Sequence, residues 1–263
     1  MKEFLNKIYR YFIDKAPGEL IVSLIIMLVI AIIGIILGLA ISKADPKKPT
    51  KGLANIAEIM VTFADDKVKG TLGTAYLPFS PYYLFLVVYI PLAFVAGLFG
   101  LASPMNYYTI PLCLALVTWL GIQISAIIFQ KLDYLKSFAS PLPGWIPILA
   151  PINMLSKLSP LLSLSIRLFG NALAGSILMT LVYWGTGSLS NLILSLVNLG
   201  GNFNFVGVVV APVLHAYFDA FSAYIQMTIF TTLTLLLIAT EIPAPVNVDK
   251  NKKKKKQRKN CIE

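Results

Sequence analysis

The sequence predicts an all-α polytopic membrane protein with five crossings and one interfacial amphipathic helix. Three observations carry this. Of 263 residues, 57% are hydrophobic and only 13% charged, about half the charged share of a soluble domain. Five apolar runs are long enough to cross a bilayer as helices. The charges fall almost entirely in the segments between those runs. The net charge of +10 does not mark a nucleic-acid-binding surface. Residues 250–263 hold eight cations against one acid, and the rest of the chain 14 cations against 11 acids. The basicity therefore belongs to a tail.

Taken in order, residues 1–19 interleave Lys2, Lys7, Arg10 and Lys15 with Phe4, Tyr9, Tyr11 and Phe12. This reads as an amphipathic surface segment, and no small-residue cleavage site makes it a signal peptide. Residues 20–41 form the first span. Its Gly34 and Gly38 are spaced for close helix packing or simply face lipid. Lysines and prolines fill the loop 43–52. Residues 53–66 place Leu53, Ile56, Ile59, Met60 and Phe63 at helical spacing over too short a length to cross, the pattern of an interfacial helix.

Residues 82–102 and 108–130 are the next two spans, joined by the tight link Ser103-Pro104-Met105-Asn106. Pro91 predicts a kink in the first of them. Residues 137–240 hold only three charges, Lys157, Arg167 and Asp219. A Gly- and Asn-rich link, Gly185–Asn204, divides this stretch into arms at about 148–184 and 206–240. Each exceeds the twenty residues of an upright crossing, so each arm is steeply tilted or broken. Residues 241–263 are a basic tail. With an external N-terminus, the five crossings put loop 43–69, residues 131–136 and the tail on the cytoplasmic face, which meets the positive-inside rule everywhere except at the short cationic N-terminal segment.

The charged residues within the arms are candidate functional groups. A central arginine costs roughly 2.5–3.5 kcal/mol to insert. Its guanidinium holds its charge at any working pH, so it acts as a fixed cation and not as a proton carrier. Ser156, Ser159, Ser163, Arg167 and Asn171 form one polar stripe at steps of three or four. His215, Asp219, Ser222 and Gln226 answer it on the second arm. These two stripes fit a hydrated ion path. A structural Arg167–Asp219 ion pair, a snorkelling Arg167 and ordinary interhelical hydrogen bonds remain as alternatives. Clustered metal ligands are absent and neither cysteine has a framework partner, so no metal or cofactor is expected.

The run Ser163-Leu164-Ser165-Ile166-Arg167-Leu168-Phe169-Gly170-Asn171-Ala172-Leu173-Ala174-Gly175 closely resembles the signature of subunit a of F-type ATP synthases. Gln226 with Phe230 and Thr231-Thr232-Leu233-Thr234 is similar to that family's second signature. Pro151-Ile152-Asn153, Gly97 through Pro104 and Leu112 through Leu116 resemble its upstream motifs. The resemblance implies a stator of a bacterial plasma membrane that faces a rotating c-subunit ring. It implies peripheral stalk b subunits and, indirectly, an F1 catalytic head as further partners.

It also implies that Arg167 is the essential arginine between two half-channels. Asp219, Gln226, Ser176 and His215 would line the outer half-channel, with Asn171 on the arginine face. Many bacterial members carry a glutamate where Ser176 stands, and mitochondrial members carry a carboxylate at the position of Asp219. The resemblance therefore implies that the channel acid has moved from one arm to the other. The chain itself would make no chemical bond. A secondary transporter would show inverted repeats with a matching pair of broken segments, and an intramembrane enzyme clustered acids or a His-rich metal set. The sequence shows none of these.

Overall fold

The computed structural model describes residues 17–42, 52–130, 149–196 and 203–241. The N-terminal surface segment 1–16, the basic loop 43–51, the cationic turn 131–148 and the tail 242–263 lie outside them. The described residues are helical, with no strand among them. Helix α1 is Gly18–Ser42, α2 Leu53–Leu72, α3 Ser80–Val95, α4 Thr109–Gln130 and α5 Leu149–Leu196. Helix α6 is Phe205–His215 and α7 Ser222–Glu241, joined by a π-helical turn at Ala216–Phe221. Five segments are long and apolar enough to cross a membrane: Gly18–Ser42, Tyr76–Phe99, Thr109–Ile128, Leu155–Leu196 and Phe205–Glu241.

Helix α3 is central. Leu86, Ile90, Ala93 and Phe94 pack with Leu114 and Ala115 of α4, Leu164, Leu168 and Ala172 of α5, and Ala223 and Phe230 of α7. A second cluster joins Ala64, Val68 and Leu72 of α2 to Tyr83, Ile122, Leu235 and Ile238. Lipid tails are as apolar as leucine, so packing of small residues and a few polar contacts must pair the helices. The Ser23 and Tyr89 hydroxyls lie 2.7 Å apart and pin α1 to α3. Tyr82 and Thr118 do the same for α3 and α4 at 2.7 Å. Trp119 Nε1 donates to the Lys157 carbonyl at 2.7 Å and pins α4 to α5. Helix α3 continues through Pro91, tightens to a 3₁₀ turn at Ala96–Phe99, and stops at left-handed Gly100. Gly34 and Gly38 face open space, so among the described residues they pack against no other helix.

Two elements differ from the sequence expectation. Helix α2 is longer than 53–66 and passes through Asp65, Asp66, Lys67 and Lys69. Its buried face is Ala54, Ala57, Ala64, Val68 and Leu72, whereas Leu53, Ile56, Ile59 and Phe63 are exposed. The first long arm does not end near 184. Helix α5 runs unbroken for 48 residues across Gly185 and Gly187 to Leu196. The packing of α6 and Asn204 on this part of α5 holds it helical and overrides the intrinsic cost of glycine. Thr186 and Ser188 hydroxyls also donate back to the Val182 and Trp184 carbonyls. At 1.5 Å per residue α5 is roughly 72 Å long, against a hydrocarbon core of about 30 Å. It must lean steeply or carry its ends well beyond the hydrocarbon.

Asn204 fastens the turn between the arms. Its Oδ1 accepts from the Gly207 amide at 2.7 Å, which caps α6, and from Ser190 Oγ at 3.1 Å. Its Nδ2 donates to Thr186 Oγ1 at 3.1 Å. A Cβ on Gly207 would come 2.6 Å from Asn204 Cγ. Gly207→Ala should therefore break this cap, and Asn204→Ala should lose about 2 kcal/mol, the upper range for a cap. Limited proteolysis of the purified protein should cut between the arms faster in both variants. An unchanged cutting rate would show that the Asn204 contacts do not hold the turn.

Candidate functional site

The site is built where α5 passes the π-helical turn and the α3–α4 link. A cleft of about 210 Å³ opens there. Asn171, Ala172, Gly175, Ser176 and Met179 line it from α5, and His215, Phe218 and Asp219 from the second arm. Gly97, Ser103 and Asn106 close it from the link. Asn106 turns a buried Oδ1 that has no hydrogen-bond partner. Four residues singled out in the sequence, Asn171, Ser176, His215 and Asp219, thus share one polar cleft.

The π-helical turn places the acid. Its i→i+5 bonds insert one extra residue, a feature common at functional sites. His215 Nδ1 lies 2.7 Å from Asp219 Oδ2 across this turn. The other ring nitrogen, Nε2, lies 2.9 Å from the hydroxyl of Tyr183 on α5. The side chains of His215 and Asp219 are 29% and 22% exposed.

Arg167 and Gln226 lie apart from the cleft. Gln226 is 1% exposed, and its Nε2 donates to the Arg167 carbonyl at 2.8 Å. It pins α7 to α5 and does not line the cleft with Asp219. Arg167 Nη1 is buried without a partner, and so is Gln226 Oε1. No Arg167–Asp219 ion pair forms, because the bonded partner of the Asp219 carboxylate is His215. Along α5, Leu164, Leu168 and Ala172 face the bundle, while Ser159, Ser163, Ile166 and Asn171 face outward. Asn171 is both outward-facing and part of the cleft wall. The arrangement sets a fixed cation beside an open helix face, with an acid in a separate polar cleft one to two turns away.

Sequence reasoning missed Tyr183. Its signal was the line Ser176, Thr180, Tyr183 at steps of four and three, continuing around α5 from the arginine stripe.

The family model described as ATP synthase A chain matches residues 21–239. Among curated relatives, the ATP synthase subunit a of Mycoplasma pneumoniae is 31% identical over 206 residues, covering 74% of this chain and 68% of that one. The protein of the same name from Desulfotalea psychrophila is 32% identical over 137 residues, 51% of this chain and 57% of that one. That of Koribacter versatilis is 32% identical over 184 residues, 67% and 66%.

Proposed function

The chain belongs to the ATP synthase A chain family, a multi-pass subunit of the membrane sector, and we propose that it is the ion-conducting stator that faces a ring of c subunits. The observation that carries this is the buried Arg167 Nη1 with no partner, beside an outward helix face. A charge that costs several kcal/mol to insert and meets no carboxylate among the described residues is poised for one on another chain. The ring carboxylate fills that role. Each ring carboxylate must give up its ion before it passes the guanidinium, and the fixed positive charge blocks a direct leak of cations. The peripheral stalk b subunits hold the stator against the ring's rotation, and the F1 catalytic head couples the rotation to ATP. No bond is made or broken in this chain beyond proton transfer.

The cleft supports the outer half-channel. It opens at the α3–α4 link, which lies outside when the N-terminus is external and the basic loops and tail are cytoplasmic. Asp219 is its ion-relay carboxylate, with Ser176 on the facing arm. Asn171 joins the cleft to the outward face, where the ion reaches the ring. The second half-channel leaves along the Ser156–Ser163 part of the stripe toward the cytoplasm.

Two experiments test this in purified synthase reconstituted into vesicles. Arg167→Ala should abolish ATP-driven ion pumping while the complex still assembles. Arg167→Lys should fail nearly as badly, since an ammonium sheds its proton when desolvated and lacks the planar fork. Normal pumping by Arg167→Ala would overturn the proposal. Asp219→Asn should slow flux severely. Returning the acid to the other wall, as Ser176→Glu with Asp219→Asn, should restore part of it, because both positions line one cleft. Unaltered flux in Asp219→Asn would make that residue structural and the half-channel assignment wrong.

A further inference from the structure

The two arms share a hydrogen-bond chain that leads into the cleft. The Tyr183 hydroxyl on α5 meets His215 Nε2 at 2.9 Å, and His215 Nδ1 meets Asp219 Oδ2 at 2.7 Å. Both imidazole nitrogens are engaged, one by each arm. A carboxylate only accepts, so Nδ1 carries the hydrogen and donates to Asp219. Nε2 then accepts from the Tyr183 O–H. The chain starts at Tyr183, an exposed residue, and ends on the acid of the cleft. Tyr183 and His215 both lie nearer than Asp219 to the turn between the arms, so the order along the chain is also an order in depth. His215 is the only histidine in the protein, and imidazole is the side chain best suited to pass a proton near neutral pH.

We propose that Tyr183, His215 and Asp219 form a proton relay that feeds the cleft from the outer side, which makes the ion admitted there a proton. This rests on the stator reading, because it needs Asp219 to hand its ion on to the ring. In one transfer, a hydronium ion on the outer side gives a proton to the Tyr183 oxygen and leaves as water, Tyr183 gives its own to His215 Nε2, and His215 passes the Nδ1 proton to Asp219 Oδ2. Asp219 becomes neutral and no charge is left on Tyr183 or His215. Once Asp219 has released its proton, Nε2 gives its proton to water and Nδ1 takes one back, which restores the first tautomer. A sodium ion has no such route. Hard cations need several oxygen ligands, and the phenol and imidazole here are committed to each other. Among the described residues no group of three or more His, Cys, Asp or Glu side chains gathers to hold a metal ion.

The test uses the whole synthase in vesicles, with proton flux followed by a pH-sensitive dye and compared per assembled complex. His215→Ala and His215→Asn should both lose flux by roughly a hundredfold or more, the lower end of what a positioned proton-transfer group contributes. Imidazole added on the outer side should restore part of the His215→Ala loss. Tyr183→Phe should lower flux by a smaller factor, because water can still reach Nε2 directly. Asparagine offers Asp219 a donor but carries no proton between two sites. Full flux in His215→Asn would therefore show that His215 only positions the acid, and would overturn the relay. Flux carried by sodium in a proton-poor medium would also overturn it. Asp219→Asn, run in parallel, separates the two claims. If it blocks flux while His215→Asn does not, the relay falls and the stator reading stands. If it conducts normally, the outer half-channel itself is wrong.

Discussion

A positive charge that no carboxylate of its own bundle answers is the constraint on which this structure turns. Inserting an arginine at mid-helix costs roughly 2.5–3.5 kcal/mol. One hydrogen bond, at about 1 kcal/mol net, does not offset that. Among the described residues Arg167 forms no ion pair, its Nη1 has no partner, and the nearby acid Asp219 is bonded to His215 instead. A chain built only for stability would have joined the two. That separation is what the proposed stator role requires of the two groups.

The rest of the fold holds this separation rigid. Leu164, Leu168 and Ala172 lock one side of α5 into the core, which fixes the opposite side as the outward one. Gln226 takes the Arg167 carbonyl and sets the depth at which the arms meet. Asn204 ties the far end, where Ser190, Thr186 and the first turn of α6 converge on one side chain. Between these two points the π-helical turn re-aims Asp219 into the cleft and toward His215. Membrane helices gain little from burying apolar surface against each other, so a few such polar contacts carry much of the registry.

Much of the fold was legible in the sequence, because spanning a bilayer leaves a length signature that few other structures share. The five crossings followed from uninterrupted apolar runs. The ends were less legible. Gly185 and Gly187 read as a link because glycine punctuates structure, whereas α5 passes straight through them where α6 packs against it. Lys67 and Lys69 read as loop because they are charged. They continue α2, whose small face Ala64 and Val68 packs on α3 and α7 while the charges stay on the open side. At the site, Arg167, Asp219 and Gln226 stood out as polar residues at helical spacing in apolar arms. What spacing did not reveal was the division of labour: which polar groups share the cleft, which pin the arms, and that Tyr183 joins His215. Those depend on the depth at which two antiparallel helices meet, and a single chain of letters carries no such register.

The central claim is that the outward face of α5 beside Arg167 lies against the carboxylate-bearing ring. Single cysteines scanned along α5 test it most directly, in a synthase whose own Cys113 and Cys261 are replaced by alanine and whose c subunit carries one cysteine near its carboxylate. Oxidation should give a disulfide adduct of this chain plus one c subunit from Ser163→Cys and Asn171→Cys, and none from Leu164→Cys or Ala172→Cys. Adducts from the buried face alone, or none from the outward face, would contradict the account.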